Sequence, residues 1–410
     1  MTADTEPTQV VFNPLEEGYN ESPYEHYARL RENDPVHYSP LLEGWVLTRH
    51  DDVLSVLRDP TISVELANAQ PTSLVVGEQA RMAELGHEPT TLVLRDDPDH
   101  ARLRRLIQQP FSPRAIDGLR EMISRRVHDA LDELIPRHRM DVIDDFAYPF
   151  PVGVFCEMFG VPEDETPQMR EWTSKVARNL DPVMSAEERA DCMQGHDDMY
   201  AFLEQLIEQK RTRPADDILT SLVHAEEDGD KLSRDELTTQ VVTLYVAGHE
   251  PTTSLIGRGL LELLRRPDQM ELLRAHPDLL GNAVLEFLRF DGPTQFVRRI
   301  ATREMQLGDR TIEAGQVLFL CIGSANRDPE RWGDDAGELD IRRADAGQHL
   351  QFGSGVHRCL GAHLARMQAE LALGALLQRT ATIELAGAPV WSPRMVIRGL
   401  QHLSVSYAAA

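Results

Sequence analysis

Cys359 stands in the run F-G-S-G-V-H-R-C-L-G, between a loop holding Gly353 and Gly355 and the helically spaced A-H-L-A-R-M-Q-A-E-L-A-L-G-A-L-L. A thiol at such a junction meets backbone N–H groups and the positive end of a helix dipole, which favour the thiolate, the form that binds metals. The two glycines remove side chains just before it and let the backbone approach something flat and large, with Phe352 placed to pack beside it. Cys156, Cys192 and Cys321 lack such surroundings and no CxxC is present, so they read as small buried hydrophobes.

A second stretch, A-G-H-E-P-T-T from Ala247 to Thr253, places Pro251 inside an otherwise helical pattern. An interior proline lacks the N–H that would bond the carbonyl four residues back, and its ring crowds that carbonyl, at a cost of about 3 kcal/mol or more. The sequence therefore predicts a helix broken at this point. Ala247 and Gly248 are small, Glu250 is an acid and Thr252 carries a hydroxyl.

The elements that must position these groups are mostly helical. S-P-Y-E-H-Y-A-R-L-R-E-N reads as a short helix, G-W-V-L-T-R as a strand, and D-D-V-L-S-V-L-R-D-P as a helix closed by proline, after which 62–93 lacks clear periodicity. From Asp97 to about Arg266 almost everything has helical spacing, with apolar residues recurring every three or four positions. The longest element opens at Ser233, where S-R-D-E forms a capping box, and runs to Arg266, a rod of about 50 Å at 1.5 Å per residue. Beyond it come helical L-L-G-N-A-V-L-E-F-L-R-F, short strand-like runs, an irregular stretch at 326–350, a helix from Leu360 to Arg379 and terminal strands. The expected fold class is mainly α with a minor β portion, as one domain over 1–410 with a disordered arm at 1–11.

The run from Phe352 to Gly361 resembles the haem-binding loop of the cytochrome P450 family, which ligates haem iron through the cysteine. Other stretches extend the resemblance from about Phe12 to the terminal strands. E-F-L-R resembles the family's E-x-x-R, with Glu286 and Arg289 one helical turn apart. D-D-P-D-H-A-R-L-R-R resembles its helix with His and Arg at i and i+4, so His100 and Arg104 are expected to bond haem propionates, as are Arg299 and His357 by their positions. The resemblance implies the cytochrome P450 fold with a long central helix over haem b, and Cys359 as iron ligand. It further implies that Ala247 and Gly248 let oxygen in beside Glu250.

The chain departs from that pattern twice. Pro251 occupies the position usually held by threonine, with the hydroxyl one residue later at Thr252. An arginine that commonly joins the E-x-x-R network is also missing before Asp340, where Gly337, Glu338 and Leu339 stand, and Arg331 or Arg342 is expected to replace it. The substrate pocket implied by the resemblance is lined by Leu92, Thr243, Val246, Ala247, the segment from Thr294 through Gln295 to Val297, and Met395, Val396 and Ile397.

The formal net charge of -25 disfavours nucleic acid and anionic membranes as partners, and neither a signal peptide nor an apolar run long enough to span a bilayer is visible. A cytoplasmic monomer is expected. Flavin and iron–sulfur motifs are lacking, so electrons are expected from a ferredoxin and its reductase, steered by a basic patch of Arg102, Arg105, Arg358 and Arg366. The expected reaction is monooxygenation with O2 of a small or medium organic molecule such as a specialised metabolite. Oxidative coupling of aromatic or indole substrates without oxygen insertion and a non-catalytic haem sensor or carrier are the alternatives.

Overall fold

A computed structural model describes residues 12–84, 91–181, 184–227 and 229–410. The arm expected at 1–11 lies outside them. The fold is a helical body with a small β portion. Its principal helices are α1 (Asp99–Ile107), α2 (Arg120–Leu134), α3 (Pro149–Phe159), α4 (Thr166–Val176), α5 (Ala186–Thr212), α6 (Arg234–Arg265), α7 (Leu280–Asp291) and α8 (Ala362–Arg379).

Helix α6 is the axis of the body and packs against α3, α5, α7 and α8. The capping box at its start is present in both halves: Ser233 accepts from the Glu236 N–H while Glu236 reaches back to the Ser233 N–H. The element is continuous through Pro251, contrary to the break expected from the sequence. Proline forfeits only one backbone bond, and the buried residues Tyr245, Val246, Leu255 and Ile256 hold the helix in register on both sides.

The larger sheet has the strand order β1 (Val36–Ser39), β2 (Gly44–Leu47), β5 (Val317–Cys321), β4 (Phe296–Ile300). β5 runs parallel to β2 and antiparallel to β4, with Arg299 opposite Leu318 and Val297 opposite Leu320. Val297 and Arg299, two apart, therefore share one face of the strand. A second sheet joins β6 (Thr380–Leu385), β7 (Ser404–Ala409) and β3 (Arg139–Asp141). The stretch 62–93 that looked aperiodic contains a helix, Ser73–Glu84. Its apolar Leu74, Val75 and Val76 are adjacent instead of three or four apart, which hid it.

The E-x-x-R pair organises the irregular stretch after β5. Arg289 donates to both Glu286 carboxylate oxygens at 2.7 Å and to the carbonyls of Asn326, Ala336 and Glu338, with both side chains fully buried. Three of these bonds answer backbone carbonyls that would otherwise be stranded without water. The third member of the network is Arg343, 3.3 Å from Glu286, and not Arg331 or Arg342, which pair with Asp345 and Asp340.

Candidate functional site

Between Leu237 and Leu263 every residue of α6 is buried or half-buried except Ala247. An exposed alanine in the middle of a buried helix faces a cavity. Cys359 gives the same signal from the loop before α8: it is the exposed one of the four cysteines although protein surrounds it closely. Half-buried Thr243, Thr294, Val297 and Val396 and buried Leu92, Val246, Met395 and Ile397 come from the segments expected to line such a cleft.

The loop that presents Cys359 is held by its own backbone. Cys359 N–H donates to Phe352 C=O at 2.8 Å, and Gly353 N–H to Leu350 C=O at 2.8 Å. Gly353 and Gly355 have φ of 65° and 73°, and a Cβ on Gly355 would collide with the Leu57 carbonyl. Arg104 ties α1 to this loop by donating to the carbonyls of Val356 and Arg358 at 3.0 and 2.9 Å. Contrary to the expectation from its helix-end position, burial pushes the Cys359 thiol up and outweighs the Gly361 N–H, Arg104 and Arg358, all of which act the other way. A coordinated metal deprotonates such a thiol outright.

The basic residues expected near the propionates do converge. The rings of His100 and His357 lie 4.3 Å apart between centroids. Burial, Arg299, His100 and Arg104 together push His357 down to about 3, and burial lowers Arg299 to about 10. His100 Nδ1 faces Asp97 at 3.2 Å, while its Nε2 is buried without a hydrogen-bond partner among the described residues. An orphaned buried nitrogen inside a cationic cluster is what a missing anion leaves behind. The residues present thus fit a flat group with acidic side arms and a metal beneath it.

Other expected site residues are placed differently. A Cβ on Gly248 would stand 2.6 and 2.8 Å from Cε2 and Cε1 of Phe155 and closer still to Cζ, so this glycine admits the Phe155 ring of α3 instead of an oxygen path. The Gln295 amide is 1% exposed and engaged at both ends: its oxygen accepts from Tyr27 OH at 3.0 Å and its nitrogen donates to Gly292 C=O at 2.9 Å. It belongs to the core. Thr252 donates its hydroxyl to Gly248 C=O at 2.8 Å, and Thr243 to Thr239 C=O at 2.8 Å. Glu250 lies 3.1 Å from Arg394 and 3.6 Å from His249. Burial alone would raise its pKa, but His249 and Arg394 outweigh burial and hold it below the usual carboxylate range.

The face around Cys359 carries a groove of about 720 Å³ whose lining includes Arg58, Arg104, Arg331, Arg358 and Arg366, His50, His349 and His363, and no acidic residue. In a chain of net charge -25 that is a local reversal of sign. Arg102, expected in this patch, is engaged with Glu236 and Asp230, and Arg105 also has interactions of its own. Arg58 and Arg331, 300 and 27 residues before Arg358 in sequence, were not recognisable as neighbours of it.

Sequence reasoning also missed a buried charge cluster behind the site. Asp291 accepts from Arg258 Nε at 2.9 Å, from Arg398 Nη1 at 2.6 Å and from Tyr24 OH at 2.6 Å. It joins the N-terminal segment, α6, α7 and the C-terminal loop. No local pattern marks residues at 24, 258, 291 and 398 as partners.

A cysteine loop over a cationic cradle, under a long helix with a gap at Ala247, defines a haem-thiolate protein. Residues 55–382 match the family model Cytochrome P450, and the chain belongs to the cytochrome P450 family. It is 36% identical to Cytochrome P450 107B1 of Saccharopolyspora erythraea, over 99% of each chain. It is 35% identical to Vitamin D(3) 25-hydroxylase of Pseudonocardia autotrophica, over 94% of each. Among solved structures, epothilone B-bound Cytochrome P450epoK superposes with a TM-score of 0.89 at 31% identity, covering 97% of this chain and 100% of the other. The chain is accordingly a haem-dependent monooxygenase, an oxidoreductase that uses O2. Among the described residues no helix is long and apolar enough to cross a membrane.

Proposed function

We propose that the chain oxidises a bulky, largely apolar specialised metabolite of macrolide or sterol size in the cleft beneath Ala247. The observation that carries this reading is Ala247, exposed within the otherwise buried or half-buried stretch Leu237–Leu263 of α6, together with the apolar Val246, Val297, Val396 and Ile397 of the segments expected to line the cleft. Relatives named for vitamin D3 hydroxylation and for bound epothilone B support the size class. Cys359 is the haem ligand, Arg104 and Arg299 neutralise the propionates, and His100 and His357 hydrogen-bond them. Thiolate-ligated haem supplies dioxygen activation. The chain's own part is to dry the cleft, position substrate and deliver protons through Glu250. Electrons come from a ferredoxin, recharged by its reductase, whose acidic face docks on the arginine-lined groove around Cys359.

The test is an optical titration of the ferric protein with macrolides, sterols and aromatic cyclic dipeptides, followed by turnover under isotopic dioxygen. A shift of the haem Soret band to its high-spin position with a macrolide or sterol, and labelled product, bears the proposal out. A Soret band that neither class moves overturns it. A second reading, oxidative coupling without oxygen insertion, is favoured by one observation: Pro251 replaces the usual threonine, and the Thr252 hydroxyl is already bonded to Gly248. Product without label would carry it.

A further inference from the structure

The segment from Pro393 to Arg398 runs between two spaces. On one side Met395 and Ile397 line a channel of about 750 Å³ whose walls also include Asp181, Glu250, Thr253 and Arg394. Val396 is outside that lining and half-buried, packed against the apolar cluster of Leu66, Val75, Phe296 and Met395. The segment is paired with the residues that lead into β4. Val396 C=O accepts from Gln295 N–H at 2.9 Å, Arg398 N–H donates to Pro293 C=O at 2.9 Å, and Ile397 bridges Thr294. Arg299 of the cationic cradle follows Gln295 by four residues, about 13 Å along an extended chain. Val396 thus belongs to a thin wall between the channel and the haem cleft.

The wall bends at Met395 and Val396, and the bend is held from the channel side by Asp181. Its Oδ1 accepts from the N–H of both residues at 3.0 Å. Two successive N–H groups turned toward one oxygen form a concavity that an acceptor must fill. Asp181 is delivered there by the short turn Ala177–Leu180 that continues α4. Arg394 adds a second stitch to α4, its Nη2 donating to Ser174 C=O at 3.2 Å. Burial raises the Asp181 pKa, while the Val396 N–H, Arg394 and the Met395 N–H act the other way. What the bend requires is an oxygen at that point, which an amide offers as well as a carboxylate. Without it both N–H groups would turn to the channel, and the wall would be free to lean into open space.

We propose that Asp181 is a positioning residue that sets substrate specificity: it pins the bend at Met395 and Val396 from the channel side and so makes Val396 a fixed wall of the haem cleft. This rests on the monooxygenase reading. Asp181 acts through the backbone of Met395 and Val396 and not by contact with substrate. A ligand that fills the cleft of the wild type meets a wall already in place. With the clasp removed, the same ligand has to order the bend as it binds, and that ordering subtracts from its affinity. A ligand that reaches only the iron does not feel the difference.

The experiment uses the full haem-loaded chain and two iron-binding probes: imidazole, which touches little beyond the iron, and the trityl-substituted imidazole clotrimazole, which fills a large cleft. Both are titrated into ferric wild type, Asp181→Ala, Asp181→Asn and Asp181→Glu, read by the shift of the Soret band. Hydrogen exchange is followed in the peptide that contains Met395 and Val396. Asp181→Ala should weaken clotrimazole by about five-fold or more while imidazole stays within about two-fold, and the two amides should exchange about ten-fold faster. Asp181→Asn keeps the acceptor oxygen and should restore both readouts. Asp181→Glu keeps the charge but carries its oxygens one methylene too far, and should weaken clotrimazole selectively. If Asp181→Ala does not hold haem, the comparison of Asp181→Glu with Asp181→Asn decides in its place. Equal losses for the two probes, an unchanged ratio of their affinities, or an Asp181→Asn as weak as Asp181→Ala overturns the proposal. A wild type that shows no haem band, or that binds imidazole and excludes clotrimazole, would instead overturn the reading of a monooxygenase with a macrolide-sized cleft.

Discussion

Replacing Gly248 with alanine separates two readings of the A-G pair in α6. If the glycine only makes room for oxygen, an added methyl would leave the fold intact, and it would stabilise the helix by about 1 kcal/mol, the propensity gap between glycine and alanine. The structure says otherwise. The methyl carbon would lie 2.6 and 2.8 Å from two ring carbons of Phe155, against an ordinary contact of about 3.5 to 4.0 Å. Phe155 cannot slide away freely: its ring is stacked on Phe159 at 5.9 Å and tilted against Tyr245 at 5.7 Å. Overpacking a core in this way costs about 1–3 kcal/mol, which offsets or exceeds the propensity gain. Gly248→Ala should therefore lower stability by up to about 2 kcal/mol, while the same change made in a Phe155→Leu background should be neutral or stabilising. Urea unfolding of the four proteins of this double-mutant cycle measures the coupling, expected at about 1–3 kcal/mol. A stabilised Gly248→Ala single variant with no coupling to Phe155 would refute the packing argument.

Two other perturbations follow from buried charge. Asp291 is held far below the usual carboxylate range, burial being outweighed by Arg258 and Arg398, so its contribution is fully present above its unfolded pKa of about 3.9 and fades as pH falls below that. Asp291→Asn should cost about 3–5 kcal/mol at pH 7, since two guanidiniums lose their counter-ion, and the gap to wild type in urea midpoints should narrow below about pH 4; a gap independent of pH would contradict the ionised assignment. On the face around Cys359, Arg58→Glu with Arg358→Glu should raise the ferredoxin concentration for half-maximal turnover about ten-fold at low salt and flatten its salt dependence; an unchanged salt dependence would place the docking surface elsewhere.

The Cys359 loop was legible because its chemistry is local: two glycines, a phenylalanine and a cysteine within eight residues state both the backbone conformation and the ligand. The capping box at Ser233 was legible for the same reason. What failed to show was set by tertiary contact. Gly248 and Ala247 look alike in sequence, yet one meets Phe155 and the other a cavity, a difference fixed by the rotation of α6 against α3. Gln295 looked like a polar pocket residue until Tyr27, nearly 270 positions earlier, proved to hold its oxygen. Arg343 replaces the expected arginine because the irregular stretch curls back over Glu286, which no spacing rule describes.

Pro251 joins these two kinds of information. The residue is visible in the sequence as a helix breaker, and local physics priced it correctly: one backbone bond is gone. The helix survives because it is embedded in the core on both sides, so the consequence is chemical instead of architectural. Losing the usual threonine moves the hydroxyl question to the next residues, and burial answers it differently for each. Thr252 turns its hydroxyl onto the backbone carbonyl of Gly248, whereas Thr253 keeps its own for the channel it shares with Glu250. A one-residue change in a helix rotates a side chain by about 100°. Position 251 lies roughly 40° around the helix from Ala247, whereas 253 lies roughly 120° from it and about 60° from Glu250. The hydroxyl left free by burial therefore accompanies the acid and its channel and not the gap at Ala247.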